Sequence, residues 1–301
     1  MCDTKMENCI LCPRDCRANR AAGKCGYCGE SNIVRVARAA LHFWEEPVIS
    51  GEKGSGAVFF TGCNLKCIFC QNAELATNQV GAKVTPKRLA EIFIALQEKG
   101  AANINLVTAT HYIPQVAESI RLAKECGMNL PIVYNTSAYE KPKTLRLLDG
   151  LVDIYLPDMK YADEQLAERY SKAKNYPEIA KSALAEMYRQ VGAPVFDEES
   201  GLMKKGVIVR HLLMPGAVAN AKAVITYLYE TYGDDIYISL MNQYTPMKEF
   251  AECPDLNRKV TKREYEKMIQ YALDLGVTNA FIQEGDTAKE SFIPPFDLTG
   301  V

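Results

Sequence analysis

Three cysteines, Cys63, Cys67 and Cys70, fall within eight residues at the spacing C-x3-C-x2-C. Cysteine thiolates hold iron–sulfur clusters, normally four of them for a [4Fe–4S] centre. Three thiolates leave one iron without a protein ligand, and an open iron can bind a small molecule. Such a cluster can do chemistry as well as relay electrons. The loop around these cysteines, Gly62 to Asn72, contains glycine and asparagine. That is a poor setting for inert cysteines, which usually sit in apolar cores.

Five further cysteines precede them: Cys9, Cys12 and Cys16, then Cys25 and Cys28. Two C-x2-C knuckles plus one more cysteine predict a metal site. The segment has few apolar residues and cannot build a core of its own, so a metal would supply its folding energy. Knuckle spacing alone favours Cys9, Cys12, Cys25 and Cys28. Of the eleven cysteines, Cys2, Cys126 and Cys253 stand apart; Cys126 and Cys253 read as small residues without a ligand role. The clustering points away from disulfides and towards a reducing, cytoplasmic compartment.

The elements that must position these groups follow from length and pattern. A chain of 301 residues with 48% apolar and 24% charged residues is an ordinary globular protein. Its net charge of -2 and the lack of a basic patch beside the cysteines predict no nucleic-acid partner. No apolar run approaches the length of a bilayer span, and no signal peptide is expected at the start. Gly51 to Gly56 is a turn-rich joint. It predicts a Cys-rich metal-binding segment over residues 1–50 and a second domain over 51–301. In the second, candidate strands at 57–61, 103–107, 131–135, 152–156, 207–212 and 236–240 alternate with helical patterns. Thr85-Pro86 and Thr261 provide helix starts. Six βα repeats predict a parallel sheet with right-handed crossovers. In a parallel barrel the active-site residues lie at the C-terminal strand ends.

A strand followed by Gly62-Cys63-x3-Cys67-x-Phe69-Cys70 and Gln71-Asn72 resembles the signature of radical S-adenosylmethionine (SAM) enzymes. It is similar to the branch of pyruvate formate-lyase activating enzymes, and within it to homologues with an extra N-terminal cysteine cluster. The likeness covers nearly the whole chain. It implies an α/β fold, an incomplete (β/α)6 TIM-like barrel. It also implies a [4Fe–4S] cluster on Cys63, Cys67 and Cys70 that binds SAM and cleaves it reductively to a 5′-deoxyadenosyl radical, which abstracts hydrogen. The implied substrate is a backbone glycine of a glycyl-radical enzyme, and the implied electron donor is a flavodoxin or ferredoxin. Among such homologues Leu-Cys-Pro-Arg-x-Cys and a later Gly-aromatic-Cys-Gly favour Cys9, Cys12, Cys16 and Cys28 for a second metal, zinc or iron–sulfur, with Cys25 as alternate. The rival readings are a radical SAM enzyme acting on a small molecule or another protein site, an electron-carrying iron–sulfur protein, and a zinc-containing nucleic-acid binder.

The remaining candidates sit at the strand ends. Phe69 is expected near the adenine. Thr108 and Thr110 stand where activating enzymes carry Gly-Gly-Glu, and offer hydroxyl and backbone groups for the SAM amino group. Asn135 resembles the asparagine of a Thr-Asn-Gly. Asp158 and Lys160 are two apart, so they share a face on an extended segment, and the resemblance gives both to SAM. Arg210, inside an apolar strand, needs an anionic partner, and the SAM carboxylate suits it. Asn242 or Gln243 replaces a histidine usual in the family. His111 is either a substrate-side group or a helix cap. His211 reads as structural, and His42 and Trp44 as packing. The tail 292–297 is expected to dock on the open side of the barrel.

Overall fold

The chain is described by a computed structural model over residues 4–283 and 293–301. Its strands are β1 (Val34–His42), β2 (Ser55–Phe60), β3 (Ala82–Val84), β4 (Ile104–Val107), β5 (Ile132–Thr136), β6 (Ile154–Pro157), β7 (Val195–Phe196), β8 (Met203–Leu212), β9 (Tyr237–Met241) and β10 (Ala280–Ile282). They form one sheet in the order β10-β9-β8-β6-β5-β4-β2-β1-β3, with β7 paired to β8. From β2 to β10 along this order the pairings are parallel. β1 runs antiparallel to β2, and β3 antiparallel to β1.

This is the expected mixed α/β partial barrel with four strands added, β1, β3, β7 and β10. The segment at 280–282, at the open side of the barrel, is a seventh parallel strand, paired to β9. Residues 34–42 were grouped with the N-terminal segment, but they extend the barrel's own sheet. The run Val34-Arg35-Val36-Ala37-Arg38-Ala39 suits helix or strand equally, and pairing with β2 decides it.

Strand parity separates the two faces. Val58, Phe60, Leu106, Tyr134, Tyr155, Val209 and Leu240 pack outward against the helices. Val133, Ile154, Leu156 and Ile208 point inward, where Ile49 from the short helix Pro47–Ser50 closes the floor of the barrel. The helices start where capping chemistry predicts. Thr85 accepts the Arg88 N–H ahead of Pro86–Glu98, and Thr261 forms a capping box with Glu264 ahead of Lys262–Leu275. The tail docks as expected. The Leu298 N–H donates to Ala37 O at 3.0 Å, the Ala39 N–H donates to Thr299 O at 2.8 Å, and Phe296 meets Phe59 edge-on at 5.5 Å. Phe292 and Cys2 lie outside the described residues. Among the described residues no helix is long and apolar enough to cross a membrane.

Candidate functional site

At the C-terminal ends of the parallel strands lies a cavity of about 240 Å³. Cys63, Cys67 and Cys70 line one side of it, and Asp158, Lys160 and Arg210 another. The three cysteine residues are each half-buried. The loop that carries them leaves β2 through Gly62 at φ 88°, and Lys66 also adopts a left-handed φ of 53°. A Cβ on Gly62 would stand 2.6 Å from Glu30 Cγ and 3.0 Å from both Cys28 O and His111 Nε2. No side chain fits there, because the loop is packed directly on the N-terminal segment. The Leu65 N–H points at Cys63 Sγ at 3.4 Å, and the Ser171 hydroxyl donates to Cys67 Sγ at 3.1 Å. Burial pushes the Cys70 thiol up to about 12, helped by the neighbouring Cys67 and Cys63; burial also raises Cys67. Such thiols give up protons only when cationic metal replaces them. A donor set of three thiols facing one cavity, with donors aimed at the sulfurs, fits an iron–sulfur core with one open position.

Opposite the thiols runs a chain of ion pairs. Lys160 Nζ donates to Asp158 Oδ2 at 2.7 Å. Arg210 donates from Nε to Asp158 Oδ1 at 2.8 Å, from Nη1 to Glu45 Oε2 at 3.0 Å, and from Nη2 to Asn135 Oδ1 at 2.6 Å. Burial works against the Asp158 carboxylate, but Arg210 and Lys160 outweigh it and hold the acid below its usual range. Burial likewise opposes the charge on Lys160, and Asp158 and Cys67 restore it. The Tyr176 hydroxyl accepts the Lys160 N–H at 2.9 Å and so fixes this strand end.

Several expectations are corrected here. Arg210 faces inward as parity requires, yet its guanidinium is already engaged by two carboxylates and an amide. Its anionic partners belong to the protein. Thr110 does not reach the cavity: its hydroxyl donates to the buried Glu140 at 2.6 Å. Thr108 does line the cavity, at φ 64°, and this turn of the chain separates the two threonines. Asn242 is absent from the cavity wall, where Gln243 stands instead; the Asn242 N–H donates to Gln283 at 3.1 Å. Trp44 is no core residue, being 59% exposed at the cavity rim. His42 meets Phe59 edge-on at 6.1 Å.

The other candidates are placed as follows. Phe69 lines the cavity, held edge-on by Tyr170 and Tyr244 at 6.1 and 6.3 Å. Asn135 lines it too. His211 faces away and contacts Met159 O at 2.7 Å; burial lowers it to about 4. His111 is neither a cavity group nor a helix cap, against both alternatives: it is buried with Nε2 2.7 Å from Thr61 O, and burial lowers it to about 3. Cys253 is buried in an apolar cluster and Cys126 is exposed.

Two acids were missed. Glu45 also accepts from Asn105 at 2.9 Å, and Glu140 accepts from Thr110, Thr136 and Tyr134 on one oxygen. An inward Arg demanding an anion was the signal for the first. Nothing local marked the second.

A three-thiol loop at the mouth of a parallel partial barrel defines a class of iron–sulfur protein with an open cluster position. The family follows from comparison. A model of the radical SAM superfamily matches residues 57–216. A protein of Methanocaldococcus jannaschii described as uncharacterised is 31% identical over 280 residues, covering 89% of this chain and 76% of that one. A radical SAM methyltransferase from Sphaerobacter thermophilus has TM-score 0.52 and 18% identity, covering 76% of this chain and 66% of that one. Streptococcus suis SuiB bound to S-adenosylmethionine has TM-score 0.49 and 15% identity, covering 74% of this chain and 48% of that one. The chain belongs to the radical SAM superfamily, which implies a [4Fe–4S] cluster and SAM. The likeness to the methyltransferase is one of fold.

Proposed function

We propose that this chain cleaves SAM reductively and directs the resulting 5′-deoxyadenosyl radical to a backbone glycine of a partner enzyme, with a flavodoxin or ferredoxin as electron donor. The observation that carries the SAM step is the convergence of Cys63, Cys67, Cys70, Asp158 and Lys160 on one cavity at the strand ends. When bound, the cluster supplies one electron and an open iron to SAM. The protein's part is binding and orientation. With Arg210 engaged by Glu45 and Asp158, Lys160 is the cation that meets the SAM carboxylate, from the cavity that the thiols also line. Phe69 offers an aromatic wall for the adenine. Thr108 and Asn135 offer polar groups on the same wall. Reduced clusters and reduced thiols suit the cytoplasm.

Anaerobically reconstituted protein should produce 5′-deoxyadenosine on reduction. Cys63→Ala, Cys67→Ala and Cys70→Ala should each abolish it, and normal turnover in any of them refutes the SAM step. The glycine step is tested by incubating the reduced protein and SAM with a purified glycyl-radical enzyme and recording the glycyl-radical EPR doublet. SAM cleavage without that signal favours the small-molecule reading.

A further inference from the structure

Residues 293–300 lie along an edge of β1 that β3 leaves uncovered. β3 pairs with β1 only over Val34–Val36. Beyond that point the tail makes the strand-like bonds. The Leu298 N–H donates to Ala37 O at 3.0 Å, and the Ala39 N–H donates to Thr299 O at 2.8 Å. Arg38, between them, donates from Nη1 to Pro295 O at 3.0 Å and to Asp297 Oδ1 at 2.8 Å. Phe296 packs with Ala37, Ala57, Phe59, Leu75 and Val107. Phe59, Leu75 and Val107 also line the cavity, as do Ile293 and Pro294. One length of chain thus runs from the edge of β1 into the cavity that the thiols line.

Little holds this length of chain in place. Pro295 and residues 297–300 are exposed. The Asp297 side chain is 52% exposed, and ion pairs at such exposure contribute little. Leu298 stands at φ 65°, a conformation that residues with a Cβ rarely adopt. At Gly300, φ 76°, a Cβ would stand 2.1 Å from Ala39 O, so the chain crosses the edge too closely for any side chain. A segment with few buried contacts and a strained backbone opens at low cost. The edge beneath it is firmer. β1 is paired to β2 from Val36 to His42, and Ala37 and Ala39 are buried. That edge offers a carbonyl, an N–H, a guanidinium and an apolar slot against Phe59. Those are the parts of a strand-addition site, in which main-chain bonds give affinity and pockets choose side chains.

We propose that residues 293–300 occupy the docking track of the protein substrate, and that an extended segment of the partner enzyme binds to β1 by displacing them. This rests on the reading of the substrate as a backbone glycine of a partner. The present occupant shows what the partner must bring. The bonds at Ala37 and Ala39 accept any extended backbone. The slot filled by Phe296 takes an apolar side chain, and Arg38 takes a carboxylate next to it, as Asp297 supplies. Pro294 stands in the cavity and precedes Phe296 by two positions. The partner's glycine should therefore precede its apolar residue by the same interval. The exchange swaps one set of main-chain hydrogen bonds for another and changes no covalent bond.

Two measurements on the full chain test this, and neither needs turnover. In the first, a fluorescein-labelled peptide with the sequence of residues 293–301 is titrated into the parent and into Phe296→Ala/Asp297→Ala. The parent's own segment competes at high effective concentration, so the double variant should bind the peptide about tenfold more tightly. Arg38→Gln added to the double variant should reverse that gain. Equal affinity in parent and double variant, or no binding to either, overturns the proposal. The second measurement follows hydrogen exchange in the unaltered chain, and so decides even if the double variant fails to fold. On addition of a purified glycyl-radical enzyme, the Leu298 N–H should exchange about tenfold faster as its segment leaves. The Ala39 N–H should stay protected, because the incoming strand takes over its bond. A glycyl radical formed while the Leu298 N–H remains protected overturns the inference and leaves the proposed function standing. Peptide competition as expected, with no complex and no glycyl radical, instead refutes the glycine step, and the track on β1 stands.

Discussion

Arg210→Ala separates two roles for the guanidinium. The side chains of Arg210, Glu45 and Asp158 are 14%, 8% and 19% exposed, so the network is largely dry. Removing one partner from a buried ion pair costs about 3–5 kcal/mol, because the other charge stays behind. Asp158 keeps Lys160 at 2.7 Å, so the stranded acid is Glu45, left with only the amides of Asn105 and Asn135. One such penalty is therefore expected, not two. At roughly 2 °C per kcal/mol, the low end for chains somewhat shorter than this one, thermal unfolding should move down by about 6–10 °C. Arg210→Met combined with Glu45→Gln should recover most of the drop, since no unpaired charge remains. Thermal unfolding of the single and double variants, alongside SAM titration, provides the assay. An Arg210→Ala protein that unfolds with the parent and loses only SAM affinity would show that the guanidinium serves the cofactor, and the network argument fails.

Lys160→Ala should weaken SAM binding about tenfold, the equivalent of one lost charge-assisted hydrogen bond of roughly 1.5 kcal/mol, with iron content unchanged; parent-like affinity in a titration refutes its role. Glu140 is raised by burial from 4.5 to about 7, a difference of about 2.5 units. Its folded pKa lies above its unfolded one, so its contribution is complete below pH 4.5 and fades as pH rises to 7. It is worth about 3 kcal/mol in total. Glu140→Gln should flatten the stability–pH curve in that window, and an unchanged slope in urea melts refutes it. Gly62→Ala places a methyl 2.6 Å from Glu30 Cγ at φ 88°, so it should destabilise by more than about 1 kcal/mol and lower iron retention; parent-like unfolding and iron content would show that the loop can shift away.

What the sequence made legible is local. Thr85 and Thr261 mark helix starts because capping is short-range chemistry, and parity put Arg210 inward and His211 outward. Cys63, Cys67 and Cys70 announce themselves by spacing. The losses are long-range. Glu45 and Glu46 before Pro47 look like a surface turn, and no pattern connects position 45 to position 210. The anion that Arg210 required was therefore sought in the cofactor. Thr108 and Thr110 were read as one group, but a β-branched residue at φ 64° is a conformation that propensity disfavours. That turn sends Thr110 to Glu140. That Cys16 is half-buried while Cys25 is exposed likewise depends on packing around Gly26, which spacing cannot express.

Arg14 shows why the N-terminal segment and the cluster loop behave as one piece. Its guanidinium donates to the carbonyls of Asn64, Leu65, Ser171 and Lys172. It also lies over the rings of Tyr27 and Tyr139 at 4.2 and 5.1 Å. Its planar fork suits this, since several donors in fixed geometry bridge separate backbone segments at once, whereas Lys would act as a point charge. Two of the carbonyls belong to the loop carrying Cys63 and Cys67, and Ser171 also donates to Cys67 Sγ. Arg14 itself stands between Cys12 and Cys16, so its position depends on how that segment is folded. Any loss of order in that segment therefore releases Arg14, loosens the carbonyls at Asn64 and Leu65, and disturbs the geometry at the neighbouring Cys63.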